Sequence, residues 1–197
     1  MKVVYHEGYR EVYADDPASA PGRMESILEA LGDSFPIVEP VEAGEDALLL
    51  VHTAGHLRFV KGLGIVDRIA KLAVGGALTA AELAMKGEAA FALIRPPGHH
   101  ASADSCWGFC YFNNVAIAIE KLLREGQIEK AVILDFDLHF GDGTSNIFTG
   151  KSEVAYYHAP RTNTAESIRG YLTEVGERDI IAVSAGFDRH VEDGAER

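Results

Sequence analysis

The chain has 197 residues, 47% hydrophobic and 24% charged, and carries 18 lysines and arginines against 30 aspartates and glutamates. That length suits one domain with a sizeable core, and the net charge of −12 argues against nucleic acid, whose phosphates need a basic face. No apolar run reaches the roughly 18 residues of a membrane span, the N-terminus turns polar at His6, too early for a signal peptide, and two cysteines, Cys106 and Cys110, build neither a disulfide framework nor a four-cysteine zinc site.

In chain order, residues 2–6 read as a short edge strand and residues 7–21, with Gly8, Pro17 and Pro21, as a loop. Met24, Ile27, Leu28 and Leu31 are helically spaced and predict a helix over residues 23–31. Residues 35–41 suit a second strand. The helical pattern of residues 46–61 breaks near Thr53, Ala54 and Gly55. Residues 66–85 read as a buried helix, to which Gly75 and Gly76 cost propensity. Continuous apolar runs follow at residues 90–94, 131–134, 154–157 and 180–183, with helices predicted over 114–124 and 165–175. Apolar strands alternating with helices indicate an α/β fold of three layers, a central mostly parallel sheet with helices on both faces.

Ligands of open α/β sheets bind beyond the carboxyl ends of the strands. Three of these strands run straight into polar residues. The first leads into Arg95, Pro96, Pro97, Gly98, His99 and His100. The second leads into Asp135, Asp137, His139 and Asp142, and the fourth into Gly186, Phe187 and Asp188. Parallel neighbours would bring all three endings to one edge. Asp135, Asp137 and His139 are two apart, so in an extended chain they share a face. Two carboxylates and an imidazole suit zinc, and three protein ligands leave a position for water. Asp188 is the natural third ligand beside Asp137 and His139, with Asp135 behind them. His52, His56, His158 and His190 are read as surface or hydrogen-bonded polar residues, and Arg95 as a loop-solvating one.

These segments resemble the zinc-dependent histone deacetylase family, which includes acetylpolyamine amidohydrolases and acetoin-utilisation-type proteins on the arginase–deacetylase fold. The matching stretches are residues 95–101 (RPPGHHA), 108–114 (GFCYFNN), 135–143 (DFDLHFGDG) and 184–188 (SAGFD), with 21–31 (PGRMESILEAL) matching the family's first arginine-bearing helix. The resemblance implies that Asp137, His139 and Asp188 bind zinc. It implies that His99 and His100 flank the attacking water, His99 paired with Asp135 and His100 with Asp142. Phe109 would wall an acyl-lysine tunnel, Gly108 would offer its carbonyl to the substrate amide, and Arg23 would lie near an acetate cavity behind the zinc. Potassium near the turn of residues 135–139 is a further expectation. The implied substrate is an acylated lysine peptide or a polyamine, which the acidic surface suits, acted on in the cytoplasm by a protein compatible with a homo-oligomer.

The sequence departs from the family in places. The tyrosine that completes the family's oxyanion hole has no counterpart, since the last tyrosine, Tyr171, precedes Asp188. Losing such a donor costs about 10²–10³ in rate. The expectation is one deacetylase-like domain over residues 1–197 that is C-terminally incomplete. The second tunnel aromatic expected after the third apolar run is missing, and Phe140 stands where many members have a second histidine. Two other readings stay open: an acyl-lysine or metal-binding module without turnover, and a binuclear manganese ureohydrolase.

Overall fold

The computed structural model of the chain describes residues 1–189. The helices are α1 (Arg23–Leu31), α2 (Glu45–Leu48), α3 (Ala54–Lys61), α4 (Ile65–Met85), α5 (Asn114–Arg124), α6 (Asp142–Phe148) and α7 (Thr164–Glu174). The strands are β1 (Lys2–Val4), β2 (Ile37–Val38), β3 (Ala90–Ala92), β4 (Ala131–Asp135), β5 (Val154–His158) and β6 (Ile180–Ser184). They pair in two three-stranded sets, ordered β2-β1-β3 and β5-β4-β6, and every pairing is parallel. Helices between parallel strands are the connections such pairing requires.

Lys2–Val4 is not an edge. β1 lies between β2 and β3, and Val3 and Val4 are fully buried. The predicted loop of residues 7–21 contains two 3₁₀ turns, Glu7–Arg10 and Pro17–Ser19. The second is capped by Asp16, whose carboxylate accepts from the Ser19 amide.

α4 lies between two core clusters. Ile69, Leu72 and Ala73 pack with Val3 and Tyr5 of the first sheet and with Met24 of α1. Ala70 and Val74 pack with Leu48, Val60 and Ile117 of α2, α3 and α5. α5 then covers one face of the second sheet, placing Ala116, Ile119 and Leu122 against Ala131 and Ile133. The opposite face carries α7, through a stack of Tyr157 on Tyr171 at 4.0 Å. The second sheet thus has a helix layer on each face. No helix among the described residues is long and apolar enough to cross a membrane.

Candidate active site

The loop after β3 is pinned at both ends. Arg95 is buried, not solvating: its guanidinium donates to the carbonyls of Tyr9, Ala18 and Ala20, the last two at 3.0 and 2.9 Å. A buried guanidinium needs such partners, and here they tie the loop after β3 to residues 9–20. Further along, Asn113 Nδ2 donates to the Ala101 carbonyl at 2.9 Å and the Thr144 amide to the His99 carbonyl at 3.0 Å. His52 receives the Asn113 amide on Nε2 at 2.9 Å, so its Nδ1 carries the proton and donates to the Ser102 carbonyl. Burial, with the neighbouring His56, lowers His52 to about 4. His52 and His56 are thus hydrogen-bonded interior residues, His56 through the Tyr111 carbonyl, and His190 lies outside the described residues.

Asp137 and His139 converge by a different route from strand alternation. β4 ends at Asp135, and the chain then bends. Asp135 Oδ1 accepts from the Asp137 amide at 3.0 Å, and Asp137 Oδ1 from the His139 amide at 2.8 Å. These are successive side-chain-to-backbone turns of the kind aspartate favours. Asp188 joins from the end of β6 and accepts from the Leu138 amide at 2.8 Å. Gly186 is required for this approach, because a Cβ there would sit 1.7 Å from Asp137 Oδ2.

Ligand atoms of Asp137, His139 and Asp188 lie within 4.8 Å of one another. His139 Nδ1 is 2.9 Å from Asp188 Oδ2 and 3.3 Å from Asp137 Oδ1. Donors about 2.1 Å from one tetrahedral ion would be about 3.4 Å apart, so the spacing fits a single zinc-sized dication. The chemistry fits as well. Burial pushes the Asp137 carboxyl up, and the charges of Asp188 and Asp135 add to this against the opposing His99. A cation would relieve that crowding of carboxylates.

The tandem histidines face this cluster with their rings 4.0 Å apart. His99 Nδ1 meets Asp135 Oδ2 at 3.0 Å, and its Nε2 lies 3.8 Å from Asp137. His100 Nδ1 meets Asp142 Oδ1 at 2.6 Å. Both expected histidine–aspartate pairs are therefore in place. Their electrostatics differ. Burial would lower His99, but the Asp135 hydrogen bond and three nearby carboxylates outweigh it and hold His99 above the ordinary imidazole value. Burial lowers His100, and His99 beside it adds to that against Asp142. Asp142 is buried in part, which raises it, yet hydrogen bonds from His100 and Trp107 bring its carboxyl below the usual range.

The remaining expected residues lie as follows. Gly108 and Phe109 form the tip of a turn beside His100, and Phe109 is exposed. Arg23 is exposed at the start of α1, where its charge is felt at Tyr13 and Arg95. Phe140 is exposed and packs edge-on against Tyr156 and His158. The Asp137 carbonyl accepts from Arg189 Nε at 2.9 Å and meets His158 Nε2 at 3.0 Å. That carbonyl therefore faces a guanidinium, in the turn where potassium is expected.

Three contributors escape sequence reading. Tyr156 donates to Asp135 Oδ2 at 2.9 Å and accepts from the Gly141 amide at 3.0 Å. Arg189 supports the turn as described. Trp107 stacks on His100 and donates to Asp142. The one available signal is that Trp107, the only tryptophan of the chain, directly precedes Gly108 and Phe109.

Residues 17–166 match the histone deacetylase domain. The chain belongs to the histone deacetylase family. A probable deacetylase of Methanothermobacter thermautotrophicus is 38% identical, with 87% of this chain aligned to 55% of that protein. A probable deacetylase of Archaeoglobus fulgidus is 41% identical over 68% of this chain and 41% of its own length. The acetylpolyamine amidohydrolase of Mycoplana ramosa is 30% identical, over 95% of this chain and 72% of that protein. The chain thus spans about half the length of the two probable deacetylases. The crystal structure of the HDA15 HD domain superposes with a TM-score of 0.82 at 23% identity, over 98% of this chain and 74% of that one. That likeness establishes the shared α/β architecture. The site of this family member combines a cluster that could hold a metal ion, Asp137, His139 and Asp188, with two histidine–aspartate pairs.

Proposed function

We propose that this family member is a zinc-dependent deacetylase that hydrolyses the amide of an acylated lysine or an acetylpolyamine. The observation that carries the reading is the placing of two histidine–aspartate pairs beside the Asp137, His139 and Asp188 triad. Zinc held by those three residues would supply Lewis acidity toward water and the substrate carbonyl.

The other roles belong to the chain's own residues. His100, lowered by burial, is neutral near pH 7 and acts as general base. Asp142 fixes its tautomer by accepting from Nδ1, which leaves Nε2 free to take the proton from water. The same nitrogen then returns that proton to the leaving amine. His99, paired through Nδ1 with Asp135, lies beside the reacting centre as an electrostatic partner for negative charge as it develops. Phe109 packs on the acyl-lysine stem, which has lost its charge and suits an apolar surface. Gly108 offers its carbonyl to the substrate N–H.

Tyr156 is engaged by Asp135 and Gly141, and Tyr157 stacks on Tyr171. The second reading is a module that binds metal and acyl groups with little turnover. Zinc titration followed by an acetyl-lysine hydrolysis assay separates the two. One zinc per chain with acetate release supports the enzyme. One zinc with hydroxamate binding and no acetate supports the binding module, and two metals per chain would contradict both.

A further inference from the structure

Trp107 is more than half exposed, yet it makes two directed contacts with the His100–Asp142 pair. Its ring centroid lies 3.8 Å from that of His100, with the planes 32° apart. Its Nε1 donates to Asp142 Oδ2 at 2.9 Å, while the other oxygen of that carboxylate, Oδ1, holds His100 Nδ1 at 2.6 Å. The three side chains close a ring: imidazole on carboxylate, carboxylate on indole, indole on imidazole.

The local backbone is shaped to make this contact. The Cys110 amide donates to the Trp107 carbonyl at 3.0 Å, closing a four-residue turn. Its two central residues, Gly108 and Phe109, have φ of 57° and 61°. A Cβ on Gly108 would meet His100 Cδ2 at 2.7 Å, so the turn lies directly against the imidazole. Holding Phe109 at a φ that an aromatic residue seldom adopts costs free energy, and here the cost accompanies a turn that lays the indole on His100.

The chemistry suits a positioning task. An indole offers one N–H donor, no acceptor and no formal charge. It can fix the rotation of the Asp142 carboxylate without neutralising it, as lysine or arginine would. Asp142 is itself partly exposed, and beside the Gly143 amide the indole is the second side chain that holds its carboxylate toward His100. A carboxylate that orients a general base is worth most when its own geometry is set.

We infer that Trp107 is a positioning residue for the His100–Asp142 pair, its indole N–H holding the second oxygen of Asp142 and its ring face holding the imidazole. The kinetic part rests on the deacetylase reading; the structural part does not. Because the chain has one tryptophan, its ¹H–¹⁵N spectrum contains one indole resonance. That proton is expected to exchange with water more slowly than in a free tryptophan peptide, and to lose this protection in Asp142→Ala. Exchange as fast as in the peptide would overturn the inference.

Kinetics supply the second arm. Trp107→Phe keeps a ring and removes the N–H. It is expected to lower kcat by about tenfold while KM stays within about twofold, the range for a partner acting through another residue. In an Asp142→Ala background the same substitution is expected to have no further effect. A raised KM at unchanged kcat, or full additivity with Asp142→Ala, would make Trp107 a substrate wall and overturn the positioning role. Absence of wild-type hydrolysis would count against the deacetylase reading alone, and the indole resonance would still decide this one.

Discussion

β4 and β6 are both apolar five-residue strands that end in a carboxylate-bearing turn, yet they are supported differently. All five residues of β4 are buried, with β5 on one side and β6 on the other. β6 has β4 as its partner among the described residues, and its burial alternates, with Ile181 51% and Val183 52% exposed. Both feed the same triad, β4 supplying Asp137 and His139 and β6 supplying Asp188. The difference shows that Asp188 need not rely on its own strand. It is held by the turn after β4, through the Leu138 amide, and the adjacent Arg189 grips the Asp137 carbonyl. The fully buried strand builds the turn, and the turn holds the Asp188 carboxylate that follows the less supported one.

If that is so, Asp188→Ala should be as damaging as Asp137→Ala or His139→Ala despite the exposure of β6. Each is expected to lower zinc affinity and hydrolysis by more than about 100-fold, the upper end for residues that act only behind a metal's ligands. Retention of tight zinc binding in Asp188→Ala, read by metal titration, would break the comparison.

The cores of the two strands should separate by stability. Ile133→Ala removes a fully buried side chain and is expected to cost about 2–5 kcal/mol. Ile181→Ala, on the exposed face, is expected to stay within about 0.5 kcal/mol. Urea midpoints measure both, and equal losses would contradict the assignment of β6 as half-supported.

A third test concerns the loop after β3, which brings the histidines to these strands. His52 titrates at about 4 in the folded chain, and an unperturbed imidazole near 6.5. The unfolded chain therefore takes up the proton first. Stability from this group is complete above about pH 6.5 and falls as pH drops toward 4, by about 3 kcal/mol in all. The urea midpoint of the wild type should fall more steeply from pH 7.5 to pH 5 than that of His52→Gln; parallel slopes would contradict it. The smallest expected effect is in hydrogen exchange, where amides of β6 should exchange faster than those of β4.

Much of this was legible from spacing alone. The helices over Arg23–Leu31 and Asn114–Arg124 end where their apolar periodicity ends. The three polar strand endings do converge, although β3 pairs with β1 and not with β4. α6 was not legible, because Asp142, Gly143, Thr144, Ser145 and Asn146 are weak helix formers and apolar Ile147 and Phe148 come only at its end. β1 read as an edge because a short apolar run at the start of a chain says nothing of which strands flank it, and its partners β2 and β3 begin only at Ile37 and Ala90. Side-chain-to-backbone turns at Asp135 and Asp137 carry no periodicity at all, so the route by which Asp137 and His139 meet is visible only in three dimensions. The same holds for Arg95, whose partners are carbonyls in residues 9–20.

The most direct test is acetate release from an acetyl-lysine amide by the zinc-loaded chain, with His100→Ala measured alongside. The account predicts turnover in the wild type that falls by at least about 100-fold in the variant, as expected for loss of a general base, while zinc content stays at one per chain. Wild-type turnover that survives in His100→Ala would contradict it.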